Sequence, residues 1–210
     1  MYISRLILNP RHRRVQREIA QRYELHRTVM RAFPPQLGAH ERVLFRLETD
    51  ARTGAVLLLV QSRGAPDWSW LSAPEHRHYL LSIDEPNPWV KPFNPRLTAG
   101  QILRFRLQAN PTVKRNGKRC GLYREDEQFG WLQRKGEQSG FRVLEVRISQ
   151  DEMVHGKLFR DDEEHRLNLL SVQFDGVLQV LDPQKLLEGV QQGIGSGKGL
   201  GFGLLSLAPG

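Results

Sequence analysis

Tyr23 and His26 stand three positions apart, with Arg22 and Arg27 flanking them. On a helix, residues three apart project from one face. Histidine titrates near neutrality, so His26 is the leading acid–base candidate. Arginines around it hold a phosphodiester and, by disfavouring a second positive charge, lower its pKa. In RNA the ribose 2′-hydroxyl can attack the adjacent phosphorus. That reaction calls for a base, an acid and cationic stabilisation of the growing negative charge. Tyr23 would orient the hydroxyl or share in proton transfer. The same spacing also suits a helix whose tyrosine and histidine are half-buried in an interface. By composition His12, His40, His155 and His165 are equal candidates, and only its neighbours single out His26.

A second constellation lies near the end of the chain. Glycine occupies every second position from Gly193 to Gly203, and Lys198 is the only charge among them. Backbone N–H groups exposed around one lysine suit a phosphate. Glycines that let a connector pack tightly are the competing reading. The segment is not a nucleotide-triphosphate loop. Gly197-Lys198 is followed by Gly199 rather than a hydroxyl residue, and Gln192 stands where that motif needs its first glycine.

The 210 residues carry a formal charge of +8 and a pI near 10.1, which point to a polyanionic partner. The charge is clustered. Residues 1–31 hold eight arginines against Glu18 and Glu24. Residues 104–124 hold seven basic side chains, among them Lys114, Arg115, Lys118 and Arg119, and no acidic one. Two separate basic patches suit a nucleic acid better than a small acidic ligand. A single cysteine, Cys120, excludes an internal disulfide and fits a reducing compartment. No Cys/His grouping has zinc spacing, and His76-Arg-His78 reads as a surface pair. The longest apolar run is far too short to span a membrane. The first residues read as a strand with no signal-peptide core, and the expectation is a cytoplasmic protein.

The elements that must position these residues are short and mixed. Residues 2–8 read as a strand stopped by Asn9-Pro10. Residues 11–31 turn helical, with a break near Gln21, and end before Pro34-Pro35. Strands follow at 43–48 and 55–61. Residues 63–96 hold a short helix near 68–71, a strand near 78–83 and a proline-marked linker. A second unit begins with a strand at 102–108 and a basic loop at 111–119. A helix over 126–138 and a strand over 141–150 come next. A hairpin then pairs 153–159 with 167–174 about an acidic tip at 161–164. Asp175-Gly176 reads as a tight turn before a further strand at 177–181. Pro183 opens a helix over 184–192. Two halves of this kind predict an α+β chain of two tandem ferredoxin-like (RRM-like) domains, at 1–92 and 97–210.

The chain resembles the CRISPR-associated repeat endoribonucleases of type I-E systems, the CasE family of the RAMP superfamily. The resemblance rests on Met1-Tyr-Ile-Ser-Arg5, Tyr23-Glu-Leu-His26-Arg27 and Arg104 through Pro111. It continues through Lys118-Arg-Cys120, Trp131 through Lys135, Phe174-Asp-Gly176, and the run from Val190 to Pro209. It implies metal-independent cleavage of precursor CRISPR RNA at the 3′ base of a repeat stem-loop, with no cofactor. The ends left are a 2′,3′-cyclic phosphate and a 5′-hydroxyl. It also implies that the mature product hairpin is retained in the Cascade surveillance complex beside the other subunits. The family histidine falls on His26 and its tyrosine on Tyr23, and an assisting basic residue matches Lys157 or Arg160. Arg22, Arg27, Lys114, Arg115, Lys118, Arg119, Arg160 and Lys198 then become RNA contacts. Residues 151–166 depart from the basic hairpin expected, with six acidic and three basic side chains. A catalytically silent hairpin-binding subunit of the same fold is the alternative.

Overall fold

A computed structural model describes every residue except Ala39, His40, Ala51, Asp161 and Asp162, and describes no side chains at 150–152 and 155–167. Its contacts divide the chain into two compact units. One comprises Met1–Asn94 with His155–Arg166 and Gly199–Gly201, and the other the remaining three segments, Pro95–Val154, Leu167–Lys198 and Phe202–Gly210.

In the first unit β1 (Tyr2–Leu8), β2 (Val43–Thr49), β3 (Val56–Ser62) and β4 (Trp89–Pro92) form one antiparallel sheet in the order β2-β3-β1-β4. Alternation fixes its register. Ser4, Leu6 and Leu8 are buried on one face of β1, and cross-strand partners Val60, Leu58 and Val56 continue that face on β3. Helices α1 (Arg13–Ala20) and α2 (Arg22–Met30) supply Val15, Leu25 and Val29 to the same core. The His12 side chain caps α1 by accepting from the Arg14 N–H at 3.3 Å. Gln21, with φ −123° and ψ 85°, leaves the helical region and separates the two helices.

Three expectations change in this unit. Part of the proline-rich stretch read as a linker is β4, at the sheet edge where a missing proline N–H is tolerated, and the two units part at Asn94 and Pro95 within the same stretch. The strand expected at 78–83 reduces to a single bridge between Leu8 and Leu80, because His78 takes a positive φ of 63°. His76, read as surface, is buried at 6 % exposure.

The second unit repeats the arrangement. Strands β5 (Ile102–Ala109), β8 (Phe141–Arg160), β9 (Glu163–Val180) and β10 (Leu205–Pro209) lie in the order β10-β5-β9-β8. In both units the first and third sheet strands are central and the second and fourth are at the edges. This is the ferredoxin-like order, and the expected α+β class of tandem ferredoxin-like domains holds. Helices α3 (Glu125–Gln138) and α4 (Pro183–Gln192) supply Trp131, Leu132, Leu186 and Val190 to its core. Asp182 caps α4 by accepting from the N–H groups of Gln184 and Lys185, both at 3.1 Å, with Pro183 at the first turn.

Two further expectations change here. The basic loop at 111–119 is a hairpin, β6 (Thr112–Arg115) against β7 (Lys118–Gly121), turning through Asn116 and Gly117 at φ 49° and 77°. Asp175-Gly176 is not a turn and no separate strand begins at 177, because both residues lie inside β9. A Cβ on Gly176 would overlap the Glu145 carbonyl oxygen, so the glycine permits a close approach of β8. Asp175 accepts from Arg106 Nε at 2.6 Å on β5. The arms of the expected hairpin at 153–174 fall within β8 and β9. At its expected tip, Asp161 and Asp162 lie outside the described residues.

Candidate active site

Helix α2 turns Leu25, Thr28 and Val29 inward at helical spacing, and His26 stands beside that stripe, half-buried. Its imidazole stacks on Phe45 of β2, with centroids 6.1 Å apart and planes at 22°. The Tyr23 ring lies 6.3 Å away at 39°. The spacing therefore does bring the two together. The glycine-rich segment reaches the same place: a Cβ built on Gly199 would lie 3.9 Å from His26 Nε2. Nδ1 is buried and, among the described residues, has no hydrogen-bond partner. None of them thus fixes the tautomer, and Nε2 can present either a lone pair or an N–H.

Burial lowers the His26 pKa from its ordinary value. The direction matches the expectation from the sequence, but the cause differs. Desolvation disfavours the charged ring, whereas the neighbouring arginines were expected to act. Arg27 is 67 % exposed and pairs with Glu24 at 3.5 Å, and Arg22 is half-buried on the first turn of α2.

Sequence reasoning missed what holds α2 in place. Gln21 makes no side-chain cap bond to α2. The helix is tied instead through Thr28, two residues past His26. Thr28 Oγ1 donates to Glu18 Oε1 at 2.5 Å, and Arg14 Nε donates to the same oxygen at 2.7 Å. Tyr79 Oη donates to Glu18 Oε2 at 2.5 Å. Glu18 is 1 % exposed. Burial, then the Glu18 charge, pushes the Tyr79 phenol pKa up. Arg14 also contacts His76 Nδ1 at 3.1 Å, and Arg31 contacts His76 Nε2 at 3.3 Å. Burial first, then these two guanidiniums, lowers the His76 pKa. One sequence signal existed: Glu18 follows Val15 by three on the inward stripe of α1, with Arg14 four positions before it.

The second unit holds its own candidate surface. Lys114 and Arg119 face each other across the β6–β7 pair, as do Arg115 and Lys118. Side chains alternate faces along a strand, so the four cations divide into two pairs. Arg115 contacts Glu127 of α3 at 3.3 Å. Lys114 and Arg119 line a cavity of about 460 Å³ with Lys135, Ser196 and Lys198. The glycine-rich segment packs closely, and part of it lines the cavity. Ile194 N–H donates to the Gly203 carbonyl at 2.9 Å and Gly203 N–H to the Gln108 carbonyl at 2.8 Å, which is packing. Gly193 through Ser196 line the cavity. Lys198 Nζ donates to the Gly195 carbonyl at 2.6 Å and so closes its own loop.

Lys157 and Arg160 belong to β8, and their side chains lie outside the described residues. Among the described residues no group of three or more His, Cys, Asp or Glu is placed to hold a metal ion. No helix among them is long and apolar enough to cross a membrane.

A family model described as CRISPR associated protein matches residues 1–209. The chain is 40 % identical, over all of both chains, to the CRISPR-associated endoribonuclease Cse3 of Thermus thermophilus. It is 32 % identical, again over all of both, to the CRISPR system Cascade subunit CasE of Escherichia coli. Its structure is similar to that of Thermus thermophilus Cse3 bound to an RNA representing a pre-cleavage complex. The TM-score is 0.83 at 39 % identity, covering 99 % of this chain and 98 % of that one. With a family match spanning nearly every residue and full-length relatives above 30 % identity, this chain belongs to the CRISPR-associated protein family.

Proposed function

We propose that this protein is a metal-independent endoribonuclease that cuts precursor CRISPR RNA at the 3′ base of repeat stem-loops. It keeps the product hairpin as a cytoplasmic subunit of a Cascade complex. The observation that carries the reading is the half-buried His26 beside Tyr23, in a chain 40 % identical throughout to a protein named as a CRISPR-associated endoribonuclease. The second relative is named as a Cascade subunit, which supports the partner assignment. The regions 1–92 and 97–210 are the two working domains.

The chemistry follows from the RNA itself. The 2′-hydroxyl oxygen attacks the neighbouring phosphorus while its proton passes to a base. The P–O5′ bond breaks, and the leaving oxygen takes a proton. A 2′,3′-cyclic phosphate and a 5′-hydroxyl remain. His26, held neutral by burial, and Tyr23 divide the two proton transfers between them. Arg22, Arg27 and a basic residue of β8, Lys157, offset the charge that grows on the phosphoryl oxygens. Lys114, Arg115, Lys118, Arg119, Arg160 and Lys198 hold the RNA. Phosphate and 2′-hydroxyl contacts dominate, because the A-form major groove is too narrow to read.

The test uses a repeat-derived stem-loop incubated with the protein in chelator, beside the same RNA with one 2′-deoxy substitution at the cut site. Cleavage of the first alone supports the reading. Tight binding without cleavage of either would replace it with a silent hairpin-binding subunit.

A further inference from the structure

The cavity in the second unit has an electrostatic feature that RNA-stem binding does not explain. Lys114 and Arg119 are directly opposed on one face of the β6–β7 pair. Like charges in that position destabilise a two-stranded ribbon. The equivalent conflict on the other face is relieved by Glu127, which contacts Arg115 at 3.3 Å. Lys114 and Arg119 have no carboxylate partner among the described residues, and no Asp or Glu lines the cavity they face. Lys135 joins them from the last turn of α3, its Nζ donating to Gln138 Oε1 at 2.9 Å. Ser196 Oγ, on the same lining, is buried and has no hydrogen-bond partner among the described residues. The wall is stiff at this point. Gly195 has φ 85°, and a Cβ there would fall 3.0 Å from the Trp131 ring, so the loop backbone rests on a buried indole.

Donors and cations surround this space, and among the described residues no carboxylate lines it. The ligand class is therefore an anion with several oxygens. The shape narrows it further. About 460 Å³ suits one small polar ligand and lies within the usual range for ligand pockets. A duplex is far too wide to enter, and its phosphates ride on a convex surface. A single unpaired nucleotide, bent away from the stem, fits both size and charge.

We propose that this cavity binds one unpaired nucleotide next to the repeat stem, through its phosphate. Lys135, Lys114 and Arg119 supply the cationic contacts and Ser196 a neutral one. The inference rests on the RNA-binding reading above and extends it from the stem to its flank.

The test has two arms. In the first, equilibrium binding is measured with three RNAs blocked by 2′-deoxy at the cut site: the bare hairpin, the hairpin with a 5′ flank, and the hairpin with a 3′ flank. One flank should tighten wild-type binding about tenfold, the scale of a good phosphate contact with partial stacking. Lys135→Glu should erase that gain, while bare-hairpin affinity moves by less than about threefold. If neither flank tightens binding, or if Lys135→Glu weakens all three RNAs equally, the proposal is overturned. In the second arm, cytidine 3′,5′-bisphosphate and inorganic phosphate are titrated calorimetrically into wild type and Lys135→Glu. The bisphosphate should bind wild type more tightly than phosphate does and lose that margin in the variant. Equal binding of the two, or a margin the variant keeps, overturns the proposal. Bisphosphate binding of the expected kind by a protein that binds no hairpin would leave the pocket standing and sink the endoribonuclease reading. Unchanged thermal melting of Lys135→Glu separates lost binding from lost fold.

Discussion

Two clusters of positive charge, one in each unit, are handled in opposite ways. In the first, Arg14 is closed around the buried carboxylate of Glu18, which also accepts from Thr28 and Tyr79. In the second, Lys114 and Arg119 are left opposed with no carboxylate among the described residues. A buried charge must be paired, because its desolvation cost is otherwise several kcal/mol. An exposed charge can wait for an external anion at little cost. The comparison separates an arginine that builds the protein from cations that face a cavity with no carboxylate among its described lining. It also places His26 between the two regimes: burial lowers its pKa, and among the described residues its Nδ1 has no hydrogen-bond partner.

The sharpest way to break this division is His26→Ala. Cleavage should fall by about 10²- to 10⁴-fold in single-turnover assays, while hairpin affinity changes by no more than about threefold. A parallel loss of affinity would show that the histidine grips RNA rather than acting on it. Glu18→Ala comes next. It leaves the buried Thr28 hydroxyl and Tyr79 phenol and the partly exposed Arg14 guanidinium without their common acceptor, and urea unfolding should register a loss of about 2–5 kcal/mol. A change below about 1 kcal/mol would mean that the carboxylate cluster does not organise this unit. Gly176→Ala should cost about 1–3 kcal/mol, since its Cβ would overlap the Glu145 carbonyl.

Smaller effects test the electrostatics. Burial lowers the His26 pKa, so the ring stays neutral down to a pH below its ordinary value of about 6.5. If the neutral ring is the working form, the acid limb of the cleavage profile should have its midpoint below that value. In linkage terms the unfolded chain takes up this proton first as pH falls. The His26 contribution to stability is therefore intact above about pH 6.5 and lost as pH falls toward the folded pKa. His76 adds in the same direction, so the His26 part is read as the difference between wild type and a His26→Ala chain. Last, the Lys114→Ala/Arg119→Ala pair should flatten the salt dependence of flanked-RNA binding by up to about two units of log–log slope. An unchanged slope would show that these cations meet no phosphate.

Much of the fold was legible because its signals are local. The helix pair broken at Gln21, the Pro183 helix start and the β-α-β-β order follow from period, capping and turn chemistry, which act within a few residues. Asp175-Gly176 was misread for an instructive reason. The same two residues mark a hairpin when local geometry governs and a close strand approach when a neighbour's carbonyl does. Only the Glu145 oxygen decides between them. His76 failed likewise: with no cysteine at zinc spacing the His76/His78 pair reads as surface, whereas Trp70 and the distant Arg14 and Arg31 pack around it.

The sequence alone determined the charge distribution, the helical spacing of Tyr23 and His26, the absence of an internal disulfide and the glycine-rich segment. Each depends on residue identity or on contacts a few positions long. Tertiary structure decided the surroundings of those residues. It put Phe45 under the imidazole and Gly199 beside it, and so made desolvation, rather than the arginines, the cause of the lowered pKa. It also sorted like cations into paired and unpaired sets, because a partner such as Glu18 or Glu127 counts only once folding brings it within hydrogen-bond or ion-pair reach.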